Sequence, residues 1–225
     1  MLKPRKRLSK KELKEDKLVT FYINANNWVK AHSSYIYTVL IALVLLVVGI
    51  TYFTRASAKK NELASAELIQ ATQLYEAGDF EEAIPLFSSI VENYRGTQSA
   101  GIGKLYLAKC FYNTLDYSNA ETYFREFLSD YKGNEHFGAT AMGGIAACYE
   151  QQGRYLDAVE QYSKAADKYP ESIHAPQFLL KAAMNARNAG EVERSKSLLE
   201  QLVQNYPDAT EVTDAEMLMA MIEQQ

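Results

Sequence analysis

The sequence predicts an all-α protein. It has a single N-terminal transmembrane helix, then an α-solenoid of about four helix pairs, then one capping helix at the C-terminus. Three observations carry this expectation. Glycine and proline supply only 11 and 5 of 225 residues, so few turn-formers interrupt regular elements. The 24 residues between Lys30 and Arg55 hold no formal charge when His32 is neutral. Four landmarks then recur in register through the rest of the chain. Hydrophobic residues at 48% and charged residues at 23% exclude extended disorder.

The first segment, residues 1–34, is a basic arm. Nine Lys/Arg (Lys3, Arg5, Lys6, Arg7, Lys10, Lys11, Lys14, Lys17 and Lys30) face only Glu12, Glu15 and Asp16, a net charge of +6. Leu18, Phe21, Tyr22, Ala25, Trp28 and Val29 follow helical spacing just after four of the lysines. Two readings stay open: an amphipathic helix on the inner leaflet with lysines at anionic headgroups, or a partly ordered arm that only sets orientation.

Residues 35–54 are the span. Tyr35–Phe53 reads YIYTVLIALVLLVVGITYF, and roughly 20 such residues cross the ~30 Å hydrocarbon layer as a helix. Tyr35, Tyr37, Tyr52 and Phe53 sit where interfacial aromatics belong. Ala56-Ser57-Ala58 has the form of a signal-peptide cleavage site, but the long leading region and long apolar run favour a retained anchor. The excess of positive charge before the span predicts residues 1–34 in the cytoplasm and the remainder outside it, the periplasm in a bacterium with two membranes.

A stalk is expected over 55–63. No glycine or proline lies between Gly49 and Gly78, so the apolar helix is expected to run almost unbroken into the first repeat helix. Residues 55–225 carry a net charge of −10. That balance disfavours nucleic acid as a partner, because phosphate binding needs a basic face.

Residues 64–208 hold the repeats. The turn position is Gly78, Leu115, Gly153 and Gly190. The aromatic or apolar residue two places on is Phe80, Tyr117, Tyr155 and Val192. The small residue is Ala83, Ala120, Ala158 and Ser195, and the closing tyrosine is Tyr94, Tyr131, Tyr169 and Tyr206. Each set is spaced 37, 38 and 37 residues apart. Apolar residues between the landmarks keep a period of 3–4, so each unit is two helices, and one unit cannot bury its apolar face alone. Pro85 lies past the first turn of its helix, which predicts a late start or a bend there. Residues 209–225 place Val212, Ala215, Leu218, Met219 and Ile222 on one helical face, expected to cover the last repeat rather than to dock a partner.

Ala158 and Pro170 stand twelve residues apart, as do Ser195 and Pro207. This pattern resembles the tetratricopeptide repeat, with a period three or four residues longer than its usual 34. The extra residues fall in GTQSAG, GNEHFG and PESIHA. Leu115 departs from the turn glycine, and Arg95 and Lys132 from the proline. By that resemblance, the first helices of the units line a binding groove. Carried over, the groove residues are Leu68, Thr72 and Tyr75; Ile102, Leu105, Lys109, Tyr112 and Asn113; Thr140, Gly143, Ala147, Glu150 and Gln151; and Gln177, Leu180, Met184, Arg187 and Asn188. Gly143 and Ala147 are expected to leave a shallow pocket. Some of these residues would instead pack helix on helix.

Cys110 and Cys148 occupy equivalent positions of units two and three. They are expected as small buried core residues, because equivalent positions of stacked helices exceed disulfide reach. No spacing matches a metal site or a nucleophile–base arrangement, so no cofactor is expected and an enzyme is disfavoured. The layout as a whole is similar to the ancillary Sec translocon subunit family. That similarity implies a protein-binding module beside the translocon, with translocon components, periplasmic chaperones or extended client chains as partners and membrane lipid around residues 35–54. The alternative expectation is a scaffold for an envelope assembly machine, in cytochrome maturation or division-linked envelope synthesis.

Overall fold

A computed structural model of the chain describes residues 17–130 and 135–224. Most of the basic arm, together with Tyr131 and Lys132, lies outside the described residues. Every regular element among the described residues is helical. The chain divides into two units, Met1–Ser57 and Ala58–Gln225.

In the first unit, α1 spans Lys17–Ala31 and α2 begins at Ser33. The His32 N–H donates to the Trp28 carbonyl, and the Ile36 N–H donates to the His32 carbonyl (3.0 Å each). The large apolar side chains from Val39 to Phe53 are all at least half exposed. A contiguous apolar surface of that size, left in water, is foreign to a soluble monomer. The helix is long and apolar enough to span a membrane. It continues through 59–63 without a break and ends only at Ala77, before Gly78.

The second unit takes the C-terminal part of α2 and eight further helices: α3 Phe80–Asn93, α4 Gln98–Asn113, α5 Tyr117–Asp130, α6 Glu135–Gln151, α7 Tyr155–Lys168, α8 Ala175–Asn188, α9 Val192–Asn205 and α10 Glu211–Glu223. From α3 to α10 each packs on the next, and α4 also meets α6 and α8 meets α10. These are four helix pairs and a cap: α2/α3, α4/α5, α6/α7, α8/α9, then α10. The second helix of every pair is 14 residues long. The extra residues of the period lie between units only in part. Gln98–Gly101 and Glu135–Gly138 extend α4 and α6 to 16 and 17 residues.

The turn within each pair has one geometry. Asp79 N–H donates to Leu74 O (2.9 Å) and Gly78 N–H to Tyr75 O (3.1 Å). The same two bonds form at Asp116/Leu115, Arg154/Gly153 and Glu191/Gly190. This is the Schellman ending, which needs a residue in the left-handed region. Gly78, Gly153 and Gly190 have φ of 87°, 71° and 83°, and Leu115 is driven to 65°. Its side chain projects into solvent, 70% exposed. The late start expected from Pro85 does not occur. The Ala83 N–H bonds the Asp79 carbonyl and closes the first turn of α3 ahead of the proline.

The small landmarks Ala83, Ala120, Ala158 and Ser195 are fully buried, so two helix backbones approach across each. Ser195 satisfies its hydroxyl by donating to Ala183 O (2.8 Å). The core forms two clusters. Ala71, Ala83, Phe87 and Ile90 join Leu107 and Cys110 in one; the other runs from Leu105 and Ala108 to Ala215. Helix α4 feeds both, because an inner helix of a stack is covered on two sides.

Of the closing tyrosines among the described residues, Tyr94 and Tyr206 donate from their hydroxyls. Tyr206 donates to Pro170 O of the preceding unit (3.0 Å) and Tyr94 to Glu67 (2.5 Å). Tyr169 fills the space above Gly138, where a Cβ would strike its hydroxyl. Val212, Leu218, Met219 and Ile222 of α10 pack on the larger cluster, so this face covers the last pair.

Candidate functional site

The first helices of the four pairs border a cleft of about 420 Å³. Tyr75 comes from α2, Lys109, Tyr112 and Asn113 from α4, and Thr140, Gly143, Gly144, Ala147, Glu150 and Gln151 from α6. Phe124 and Tyr162 reach in from the second helices α5 and α7. His174, Gln177, Phe178 and Lys181 come from the start of α8. On α4 and α6 these positions recur every three or four residues, one face of each helix.

Of the residues expected in a groove, the cleft brings together Tyr75, Lys109, Tyr112, Asn113, Thr140, Gly143, Ala147, Glu150, Gln151 and Gln177. Leu105 is instead a core residue, 1% exposed, packed in the larger cluster. Leu68 and Leu180 lie half-buried against the two clusters. Ile102 is also half-buried, and Thr72 turns its hydroxyl to the Ile69 carbonyl (2.9 Å). Met184, Arg187 and Asn188 lie outside the cleft, Met184 and Asn188 exposed.

On α8 the lining face is His174, Gln177, Phe178 and Lys181, rotated by about one residue from the expected 177, 180, 184 register. The turn bonds Ser172 N–H to Tyr169 O and Ala175 N–H to Ser172 O set where that helix starts. Gln177 and Lys181, four apart, were the visible signal for this register.

Gly143 and Ala147 both line the cleft, and aromatic rings stand where the glycine side chains would be. A Cβ on Gly143 would lie 2.5 Å from the Phe178 ring, and one on Gly144 would strike the Phe124 ring. The glycines admit two buried rings as the floor of the cleft. Sequence reasoning saw the missing side chains but not the rings that take their place, because those arrive from α5 and α8.

Polar groups sit around this floor. Glu150 accepts from the Tyr162 hydroxyl (3.0 Å) and pairs with Lys181 (3.4 Å). Burial, then the Glu150 charge, holds the Tyr162 hydroxyl above its ordinary range. Burial likewise raises Tyr75 and Tyr112, while hydrogen bonds with Asn113 and Gln151 oppose the rise. Lys109 lies over Tyr106 (5.2 Å to the ring centre) and Tyr75 (6.0 Å), and burial lowers its ammonium below the usual lysine value. His174 stacks on His136 at 5.2 Å. Burial first, then His136 and Lys109, lowers its imidazole.

Cys110 and Cys148 are free and buried, and desolvation pushes both thiols up to about 12. Such thiols are inert core residues rather than nucleophiles. No group of three potential metal ligands occurs among the described residues.

Comparison with known proteins agrees with this architecture. A family model described as a tetratricopeptide repeat-like domain matches residues 26–168, and a tetratricopeptide repeat model matches 177–209. No curated protein matches the sequence. Among solved structures, the chain is similar to the kinesin light chain nearly identical TPR-like repeats from Podosopora anserina. The identity is 16%, over 73% of this chain and 94% of that one, with a TM-score of 0.54. It is also similar to YrrB, described as a TPR protein with an unusual peptide-binding site. There the identity is 13%, over 67% of this chain and 90% of that one, with a TM-score of 0.31. At 16% identity the first likeness is one of fold. Tetratricopeptide repeats are protein-interaction modules. With four stacked pairs closed by left-handed turns, and a family match over well more than half its length, this chain belongs to the tetratricopeptide repeat-like domain family.

Proposed function

We propose that the chain is a single-span membrane-anchored binding module of the bacterial envelope whose cleft holds extended protein segments. In this reading residues 1–34 are cytoplasmic and the repeats periplasmic. The clients are translocating or unfolded chains beside the protein-export channel. The cleft carries the proposal. Its aromatic floor and its amide and hydroxyl walls offer apolar contact and backbone hydrogen bonds together, which is what an extended chain presents. The charge step around the uncharged band supports the orientation, since positive residues collect before the span and the repeats are acidic. The acidity of residues 55–225 supports a protein partner over nucleic acid.

Two measurements test this. A photo-crosslinker at Tyr112, on the cleft wall, should capture segments of exported chains and components of the export channel in living cells. Capture of one folded enzyme complex and no exported chain would replace the proposal with an assembly scaffold. A membrane-impermeant amine reagent applied from the periplasmic side should label Lys181 and Lys196 and spare Lys3 and Lys10. The reverse pattern would overturn the orientation.

A further inference from the structure

Resting on the reading of the cleft as a site for extended chain, we infer that it selects segments carrying an internal acidic side chain. The acid pairs with Lys109, and an apolar neighbour in the segment seats on the Phe124–Phe178 floor. Three observations on charge lead there. The other lysine of the cleft, Lys181, is already paired with Glu150. Glu150 is further satisfied by the Tyr162 hydroxyl. Lys109 has no carboxylate partner among the described residues; it lies half-buried over the faces of Tyr75 and Tyr106. A desolvated ammonium without a counter-ion is a standing cost to the fold, and a ligand carboxylate removes it. Its lowered proton affinity has desolvation as its cause, as expected of a cation that waits for its anion.

The cleft is thus a locally cationic spot on a repeat domain that is strongly acidic overall. Acidic segments are repelled elsewhere and accepted here, so the same charge supplies selectivity.

The position of Lys109 along the cleft argues for a side chain rather than a chain end. It belongs to the second pair. Tyr75 of the first pair lines the cleft on one side of it, and Thr140, Gln177 and Lys181 of the third and fourth pairs on the other. A bound chain therefore continues past the ammonium in both directions. The apolar contact has its own geometry: Gly143 and Gly144 admit the Phe178 and Phe124 rings, which line the same cleft as Lys109.

The test uses the full chain in lipid nanodiscs and labelled peptides of about a dozen residues read by fluorescence anisotropy. One peptide is capped at both ends with a central Glu-Leu, a second has Gln-Leu, and a third has Gln-Leu with a free C-terminal carboxylate. The Glu peptide should bind about tenfold tighter than the Gln peptide, the effect of one charge-assisted contact, and its affinity should fall with salt. Lys109→Met should equalise the two, while Lys109→Arg should keep the preference; helical circular dichroism confirms that each variant is folded. Equal binding of the Glu and Gln peptides to the wild-type chain overturns the inference and leaves the peptide-binding reading standing. Preference for the free C-terminus over the internal acid also overturns it. Binding of none of the three peptides removes both.

Discussion

The turn edge and the cleft of the repeat domain are built by opposite rules. At the turn edge all four pairs repeat the same two backbone hydrogen bonds and the same left-handed backbone conformation. Along the cleft each pair presents a different set of side chains. A tyrosine comes from the first, lysine, tyrosine and asparagine from the second, glycines with a glutamate and amide from the third, and histidine and lysine from the fourth. The difference teaches where freedom lies in a stack. Backbone geometry must recur for units to nest at all, whereas one face of each first helix is free to differ and so can carry recognition.

The comparison breaks first where packing is tightest. Ala158→Leu places a large side chain at a fully buried small position of the third pair. It should cost about 3 kcal/mol and lower the melting midpoint by about 6–12 °C, measured by thermal circular dichroism. Gly144→Ala acts on the cleft side. Its Cβ meets the buried Phe124 ring, and about 2 kcal/mol of overpacking is partly offset by better helix propensity. A net loss near 1 kcal/mol, with weakened peptide binding by anisotropy, would tie the cleft floor to function.

The turn edge is sharpened by exchange. Leu115→Gly should raise stability by about 1 kcal/mol, because it relieves a side chain held at φ 65°. Gly153→Leu should lose about as much in chemical denaturation. If both changes moved stability the same way, the equivalence of the four turns would fail.

The smallest effect is one of pH. Burial, His136 and Lys109 hold the folded-state imidazole of His174 below its ordinary 6.5. Between those two values the unfolded chain binds more protons than the folded one. Stability should therefore fall as pH drops through 6.5, and the penalty is complete below the folded-state value. His174→Asn should flatten that limb, read as the change in denaturant midpoint between neutral and mildly acidic pH.

Much of this architecture is legible in the chain itself. The turn glycines, the buried small residues and the closing tyrosines are local demands of a backbone that must turn, approach and stop, and they leave the same mark in every unit. The capping face of α10 was readable for the same reason: Val212, Ala215, Leu218, Met219 and Ile222 keep helical spacing. The uncharged band is equally local, since whether a helix is long and apolar enough to span a membrane is a matter of length and composition.

The cleft was legible only in part. Lys109, Tyr112, Asn113 and Gln151 sit where their helical register puts them. Leu105 shares that register and is nonetheless buried, because a neighbouring helix covers it. Phe124 and Phe178 come from α5 and α8, and no spacing within α6 announces that its glycines exist to receive them. Periodicity therefore determined the helices, their pairing and their turns, which depend on residues near in sequence. Tertiary packing alone decided the rotation of α8, the aromatic floor, and which cleft charge keeps a partner, because those depend on side chains that meet across tens of residues.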